Sequence, residues 1–171
     1  MIPPSPWIAR HLAAIPAGGS VLDLACGRGR HARLLAAGNH PVLAVDRDSA
    51  ALDELAGVPG IATACLDLEG DDWPLAGRRF AGVVVANYLW RPRLAEVFAL
   101  VEPGGVLIYE TFMIGNAAYG KPSNPDFLLQ PGELRAAVDA AGWQEIAFAE
   151  GYAEAPKPCM RQAIVARRPL T

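Results

Sequence analysis

The stretch 21-VLDLACGRGRHARLLAAG-38 runs from an apolar, strand-like segment through a glycine turn into a helix that stops naturally at Gly38. Within the turn, Gly27-Arg28-Gly29-Arg30-His31-Ala32 fits the dinucleotide pattern G-x-G-x-x-G/A. An acid, Asp23, stands four residues before Gly27, and a nicotinamide or flavin site has no use for it. A pyrophosphate at the helix N-terminus would be repelled by a nearby carboxylate. A ligand with a cationic amino group suits Asp23 better, and the glycines let the backbone approach that ligand closely.

On both sides of this stretch, helices and strands alternate. A helix is expected over 5-SPWIARHLAAI-15, stopped by Pro16 and Gly18-Gly19. After the turn come strand 41–46, a helix near 48–57 capped by Asp48 or Ser49, and strand 61–67. The almost wholly apolar 80-FAGVVVAN-87 reads as a central parallel strand covered on both faces. The next helix places Leu94, Val97, Phe98 and Val101 on one face, and Pro103-Gly104-Gly105 is expected to end it before strand 106–112. A long irregular loop, 113–130, leads into helix 131–142, with Pro131 at its first position and Glu133 at its third. Strands 144–152 and 160–167 follow, joined without a helix as in a hairpin. The pattern predicts an α/β fold: a doubly wound, Rossmann-like sheet of seven strands, mostly parallel, with one antiparallel strand from the C-terminal hairpin. At 171 residues, one domain over 1–171 is expected, with 1–18 as an N-terminal helical piece.

Composition narrows the function. Lys plus Arg number 15 against 18 Asp plus Glu, for a formal charge of −3, and the short Arg-rich pieces 28–33 and 91–93 are dispersed. Nucleic acid is therefore disfavoured as a partner, since proteins that grip a phosphate backbone usually carry a basic face. The apolar runs are too short to span a bilayer, and the start does not read as a secretory signal, so a cytoplasmic protein is expected. Cys26, Cys65 and Cys159 are odd in number and nowhere spaced as CxxC, which argues against a disulfide scaffold or a zinc site; no metal is expected.

In an open α/β sheet the ligand binds at the carboxyl ends of the strands, so the residues there carry the function. Asp23 to Gly29 end the first strand, Asp46-Arg47 the second, Asp67-Leu68 the third and Asn87-Tyr88 the fourth. Asp46 lies 19 residues past Gly27, a spacing suited to a carboxylate that accepts both ribose hydroxyls. An acid before the turn, glycines in it, and acids after strands two and three describe a pocket for S-adenosylmethionine. Residues 21-VLDLACGRGRHARLL-35, Asp46, 66-LDLE-69 and 101-VEPGGVLIYE-110 resemble class I S-adenosylmethionine-dependent methyltransferases. The loop 115-GNAAYGKPSNPDFLLQPGELR-135 resembles, more narrowly, small bacterial methyltransferases of the tellurite-resistance-associated type.

The resemblance implies that Asp23, Ala25, Cys26, Gly27 and Gly29 form the floor under the methionine and ribose. It implies that Asp46 holds the ribose hydroxyls beside Arg47, that Asp67 and Leu68 meet the adenine, and that Asn87 and Tyr88 lie near the sulfonium and the acceptor. Arg30 replaces the third glycine common in the family turn, and Asn87-Tyr88-Leu89-Trp90 is not the NPPY-type motif of enzymes that methylate nucleic-acid amino groups.

Methyl transfer from a sulfonium is an in-line displacement in which alignment supplies roughly 7–11 kcal/mol. An aromatic face adds about 0.5–2 kcal/mol for a cation, which singles out Tyr88 and Trp90. Glu110 and Tyr109, at the end of the fifth strand, are the candidates for a general base, with Tyr88 and Glu110 the candidate catalytic pair. No histidine sits at a strand end, so a polarizable acceptor needing little base help stays open. The loop 113–130 is long for a compact α/β unit and reads as a substrate-side lid. There Asn116, Tyr119 and Phe127, with Trp90 and Tyr109 outside it, are candidate contacts for a small-molecule acceptor. The alternatives are an NAD(P)-binding oxidoreductase, since the glycine turn fits that fingerprint, and a non-enzymatic S-adenosylmethionine-binding module.

Overall fold

The computed structural model describes residues 2–171. Helix α1 (Pro6–His11) begins at Ser5, whose hydroxyl accepts from the Ile8 amide, and Pro6 takes the first position, where a missing N–H is harmless. Then come β1 (Val21–Leu24), α2 (Arg30–Ala37), β2 (Val42–Asp46), α3 (Ser49–Asp53), β3 (Ile61–Cys65) and β4 (Phe80–Ala86). The chain continues through α4 (Leu94–Ala99), β5 (Val101–Phe112), α5 (Glu133–Ala140), β6 (Gln144–Ala153) and β7 (Cys159–Arg167). No described helix is long and apolar enough to cross a membrane.

The seven strands form one sheet, as the alternating pattern predicts, and their order is β3-β2-β1-β4-β5-β7-β6. The pairs from β3 to β5 are parallel, and β7 runs antiparallel to both β5 and β6. The chain winds outward one way from β1 and the other way from β4. The strand order thus reverses between these two, where a ligand crevice opens in such sheets. Alternation along the strands divides the core. Leu22, Leu24, Val83, Val85 and Leu107 face α4 and α5 residues such as Val97 and Leu134. Val21, Val84, Val106 and Ile108 face Ile8, Ile15 and Leu35. With β1 buried throughout and β4 buried from Phe80 to Val85, the crevice sits on a rigid floor.

Several boundaries differ from the sequence reading, each for a local reason. The first helix stops at His11 and continues only as a 3-10 turn, Leu12–Ala14. Helix α3 is one short piece, held by the Asp48 carboxylate accepting from the Ala50 and Ala51 amides. Pro103-Gly104-Gly105 does not separate helix from strand: β5 already pairs with β4 at Phe80↔Val101, and the register shifts across this piece before Gly82↔Val106. Helix α5 starts at Glu133 rather than Pro131, because Gly132 adopts φ 69° and serves as its N-cap. Strand β3 ends at Cys65, which leaves Asp67 and Leu68 in the loop beyond it.

Candidate functional site

Two neighbouring strands end in the same unusual way. Ala25 after β1 and Asn87 after β4 both take left-handed backbone, φ 54° and 57°, although neither is glycine. Such conformations cost of order 1–3 kcal/mol and concentrate at functional sites. They turn the chain away from the sheet and expose its edge at the point of strand reversal. The turn after β1 continues through Gly27 (φ 56°) and Gly29 (φ 83°), and a Cβ at Gly29 would meet Leu55 at 2.5 Å. Both glycines are thus demanded by backbone shape, the second by close packing as well. At Arg30, where the family usually has a third glycine, the chain has entered α2 with helical geometry, so a side chain fits.

The Asp46 carboxylate locks this turn to β2. One oxygen accepts from the Gly27 amide at 2.8 Å and the other from the Asp48 amide at 2.9 Å. Asp23 differs. It is 2% exposed, and its Oδ2 has no partner among the described residues. Burial raises its pKa to about 7, which the Ala32 amide and Arg30 only partly oppose. An orphaned buried carboxylate facing a cavity fits the ammonium group of a bound amino acid, because ligand-free it bears an unrelieved desolvation cost. Burial also raises the pKa of the Cys26 thiol above its ordinary value, so Cys26 serves as wall rather than nucleophile.

Two cavities meet here. One, of about 800 Å³, is lined by Asp23, Ala25, Cys26, Gly27, Arg30, His31, Asp46 and Asn87 among others. The second, of about 410 Å³, is lined by Arg47, Asp67, Leu68, Tyr88, Thr111, Phe112, Pro122 and Phe127, and again by Ala25, Asp46 and Asn87. The three shared residues make one trough. Every expected cofactor residue except Gly29, which shapes the turn from below, lines it.

The expected acceptor residues divide. Tyr88 and Phe127 line the smaller cavity. The Tyr88 hydroxyl donates to Glu69 Oε2 at 3.2 Å, and burial followed by the Glu69 charge raises its pKa. Tyr109 is 1% exposed, donates to the Tyr88 carbonyl at 2.6 Å, and lies beneath the site as a support. Burial raises its pKa too, so neither phenol is a base at neutral pH. Glu110 is buried against Arg161, whose Nη2 lies 3.3 Å from Glu110 Oε1 and donates to Asn87 Oδ1 at 2.7 Å. Asn116 is a loop clamp: its amide donates to the Pro122 carbonyl and its oxygen accepts from the Met160 amide. Tyr119 stacks on Tyr152, ring centroids 5.4 Å apart, and half-buried Trp90 precedes the Arg91–Arg93 turn; neither lines the trough.

The sequence reading passed over Thr111, Phe112, Arg30 and Arg161. The strand-end rule, carried two residues past Glu110, finds the first two. Arg161 leaves no such trace, because β7 reaches the site only through long-range pairing with β5.

Residues 21–105 match the family described as methyltransferase domain. That match covers 85 of the 171 residues, and the full sheet has the fold of solved S-adenosylmethionine-dependent methyltransferases. Among curated proteins it is 30% identical over 148 residues to a tRNA U34 carboxymethyltransferase of Methylococcus capsulatus, covering 75% of this chain and 46% of that protein. Among solved structures it resembles TehB from Haemophilus influenzae, with TM-score 0.76, 19% identity and coverage of 94% of this chain and 61% of that one. It also resembles a Burkholderia thailandensis 1,6-didemethyltoxoflavin-N1-methyltransferase with bound 1,6-didemethyltoxoflavin and S-adenosylhomocysteine, with TM-score 0.67, 20% identity and coverage of 96% and 77%. The chain spans about half the length of the curated relative and under two thirds of TehB. These two structural likenesses establish the fold. The family match spans the glycine turn and is to a methyltransferase domain, which favours the S-adenosylmethionine reading of that turn over the dinucleotide one.

Proposed function

We propose that the protein transfers a methyl group from S-adenosylmethionine to a small molecule seated in the 410 Å³ cavity, between Tyr88, Thr111, Phe112, Pro122 and Phe127. The observation that carries this reading is the junction of the two cavities at Ala25, Asp46 and Asn87. The donor, when bound, supplies an electrophilic methyl on a sulfonium sulfur.

In this reading Asp23, Ala25, Cys26 and Gly27 hold the amino-acid end, Asp46 the ribose, and Asp67 and Leu68 the adenine. Asn87 and Tyr88 border the place of transfer, Tyr88 through its ring face. Gly29 acts indirectly, by fixing the turn. Glu110, tied to Arg161, positions Asn87 rather than taking a proton. With both phenols held protonated, the acceptor atom is one that attacks without strong base assistance, such as a neutral amine or a soft chalcogen. The resemblance of the loop 115–135 to methyltransferases of the tellurite-resistance-associated type is compatible with a tellurium or selenium species. The cytoplasm is the compartment this reading implies.

A second reading comes from the curated relative, whose name assigns it a tRNA substrate. Exposed Asp67 and Glu69 at the rim of the smaller cavity oppose a phosphate backbone, which favours the small acceptor. A transfer assay with methyl-labelled S-adenosylmethionine decides between them, run in parallel against a panel of small amines, thiols and chalcogen anions and against bulk tRNA. Label in a small product supports the proposal, whereas label in tRNA alone overturns it.

A further inference from the structure

The 91-RPR-93 turn lines neither cavity, yet its two arginines hold the two loops that wall the smaller one. Arg91 grips the 113–130 loop through the carbonyls of Asp126 and Leu128, on either side of Phe127. Arg93 turns instead to the loop after β3. Its Nη2 donates to the Gly70 carbonyl at 2.8 Å and to the Asp71 carbonyl at 2.9 Å, and its guanidinium lies over the Trp73 ring, 5.6 Å from the centroid. Both Glu96 oxygens accept from Arg93 Nη1 at 2.9 Å, which ties this arm to α4. A planar guanidinium fixed on several sides holds its partners in one geometry.

The loop that Arg93 holds has no ladder of its own. Among the described residues, no backbone group from Asp67 to Asp72 bonds another backbone group. Leu68 and Leu75 are buried and pin the loop to the core, and Arg93 fixes the piece between them. Gly70 connects that piece to the cavity. A Cβ there would stand 3.1 Å from Asp67 Oδ2, so the Gly70 backbone lies against the Asp67 carboxylate, whose Oδ1 accepts from the Glu69 amide at 2.9 Å. We propose that Arg93 is a positioning residue which, from outside the cavity, aims Asp67 at the base of the nucleoside ligand and so selects a 6-amino purine over a 6-oxo one. An ionised carboxylate only accepts hydrogen bonds, so it pairs with a 6-amino group and is opposed by a 6-oxo group. The inference rests on the reading in which Asp67 meets the adenine, and adds to it the residue that makes Asp67 selective.

Calorimetric titration of the full chain tests this with two probes, S-adenosylhomocysteine and its 6-oxo analogue S-inosylhomocysteine. The wild type should bind the analogue about 10–100-fold more weakly, the scale of losing a hydrogen bond to a charged group. Arg93→Ala should bring the two affinities within about threefold of each other. Arg93→Lys should fall between, because an ammonium cannot replace the planar fork that spans two carbonyls and Glu96. Gly70→Ala should narrow the ratio as well, since its methyl pushes on Asp67 while Arg93 stays in place. Arg91→Ala removes the same charge from the same turn and should keep the wild-type ratio. A merely structural Arg93 would weaken both ligands alike, so an unchanged ratio in Arg93→Ala overturns the inference. Should that variant fail to fold, an unchanged ratio in Arg93→Lys and Gly70→Ala does so. Equal narrowing in Arg91→Ala would assign the effect to the whole turn and overturn it too. Equal affinity of the wild type for the two probes removes Asp67 as the reader of the base, and the inference with it. A wild type that binds neither probe sinks the cofactor reading itself, which keeps the two failures apart.

Discussion

On the proposed donor side of the crevice, from Asp23 to Asp48, the structure is held by backbone: left-handed residues, glycines and amides donating to one carboxylate. The acceptor side is held by side chains reaching across the chain. Arg91 donates to both Glu133 oxygens and to the carbonyls of Asp126 and Leu128, and Asn116 ties Pro122 to Met160. The Ile114 amide donates to the Leu129 carbonyl and the Leu129 amide to that of Phe112, which closes the base of the 113–130 loop. A site built on backbone tolerates little change in shape. A loop held by two clamps can be rebuilt without touching the other side. The cofactor half is therefore the fixed half, and the loop is where acceptor specificity can vary.

The comparison breaks most easily at Asp23, where the largest effect is expected. Its folded pKa, about 7, stands above its ordinary value of 3.8, so the folded protein holds the proton more tightly than the unfolded chain does. Stability conferred by the proton is full below about pH 4 and is lost as pH rises to about 7. Asp23→Asn removes that loss. It should stabilise the ligand-free protein at pH 8 by at most about 4 kcal/mol, taking about 1.4 kcal/mol per pKa unit. At pH 4 the difference should vanish, and S-adenosylhomocysteine affinity should fall at both pH values. Urea unfolding at pH 4 and 8 measures the first part, and a variant less stable at pH 8 would mean that Asp23 serves the fold rather than a ligand.

Asp46 comes next. Removing its carboxylate leaves the Gly27 and Asp48 amides unpaired and takes away the proposed ribose contact. Asp46→Ala should weaken S-adenosylhomocysteine by about 100-fold in calorimetry. Unchanged affinity would move the donor out of the trough described here.

Arg91 sharpens the contrast between the two sides. Arg91→Ala should destabilise the loop locally by about 1–3 kcal/mol and speed hydrogen exchange at the Ile114 and Leu129 amides. Cofactor affinity should stay within about threefold, since the donor side has its own supports. A joint loss of loop order and cofactor binding would show that the two sides are one cooperative unit.

The same contrast explains what could be read from the chain. The donor side was legible because its determinants are local or set by strand period: Asp23 before the glycines, Asp46 at the end of the next strand, apolar β4 between them. The seven-strand sheet followed from the same alternation. The acceptor side was legible only as a long loop. Asn116 and Tyr119 look like substrate contacts by composition, yet one spends its amide on Pro122 and Met160 and the other lies against Tyr152. Tyr109 sits at a strand end but points into the core beneath Tyr88, because strand alternation there turns it from the crevice. Arg91 reads as part of a short, dispersed Arg-rich piece and Arg161 draws no notice in the sequence, and only the folded chain shows what each of them holds.

The smallest effect is expected at Tyr119, and it tests whether the loop's exposed aromatics belong to the site. Tyr119 and Tyr152 are 47% and 55% exposed, and their tilted pair joins the loop to β6 outside the trough. Exposed aromatic pairs contribute about 0.5–1 kcal/mol, so Tyr119→Ala should lower stability by no more than that in urea unfolding. S-adenosylhomocysteine affinity should not change. Phe127, which does line the smaller cavity, is the matched control. Phe127→Ala should impair methyl transfer through the acceptor's KM while Tyr119→Ala leaves that KM alone. If Tyr119→Ala raises the KM as much as Phe127→Ala does, the acceptor extends beyond the 410 Å³ cavity onto the outer face of the loop, and its size class must be revised upward.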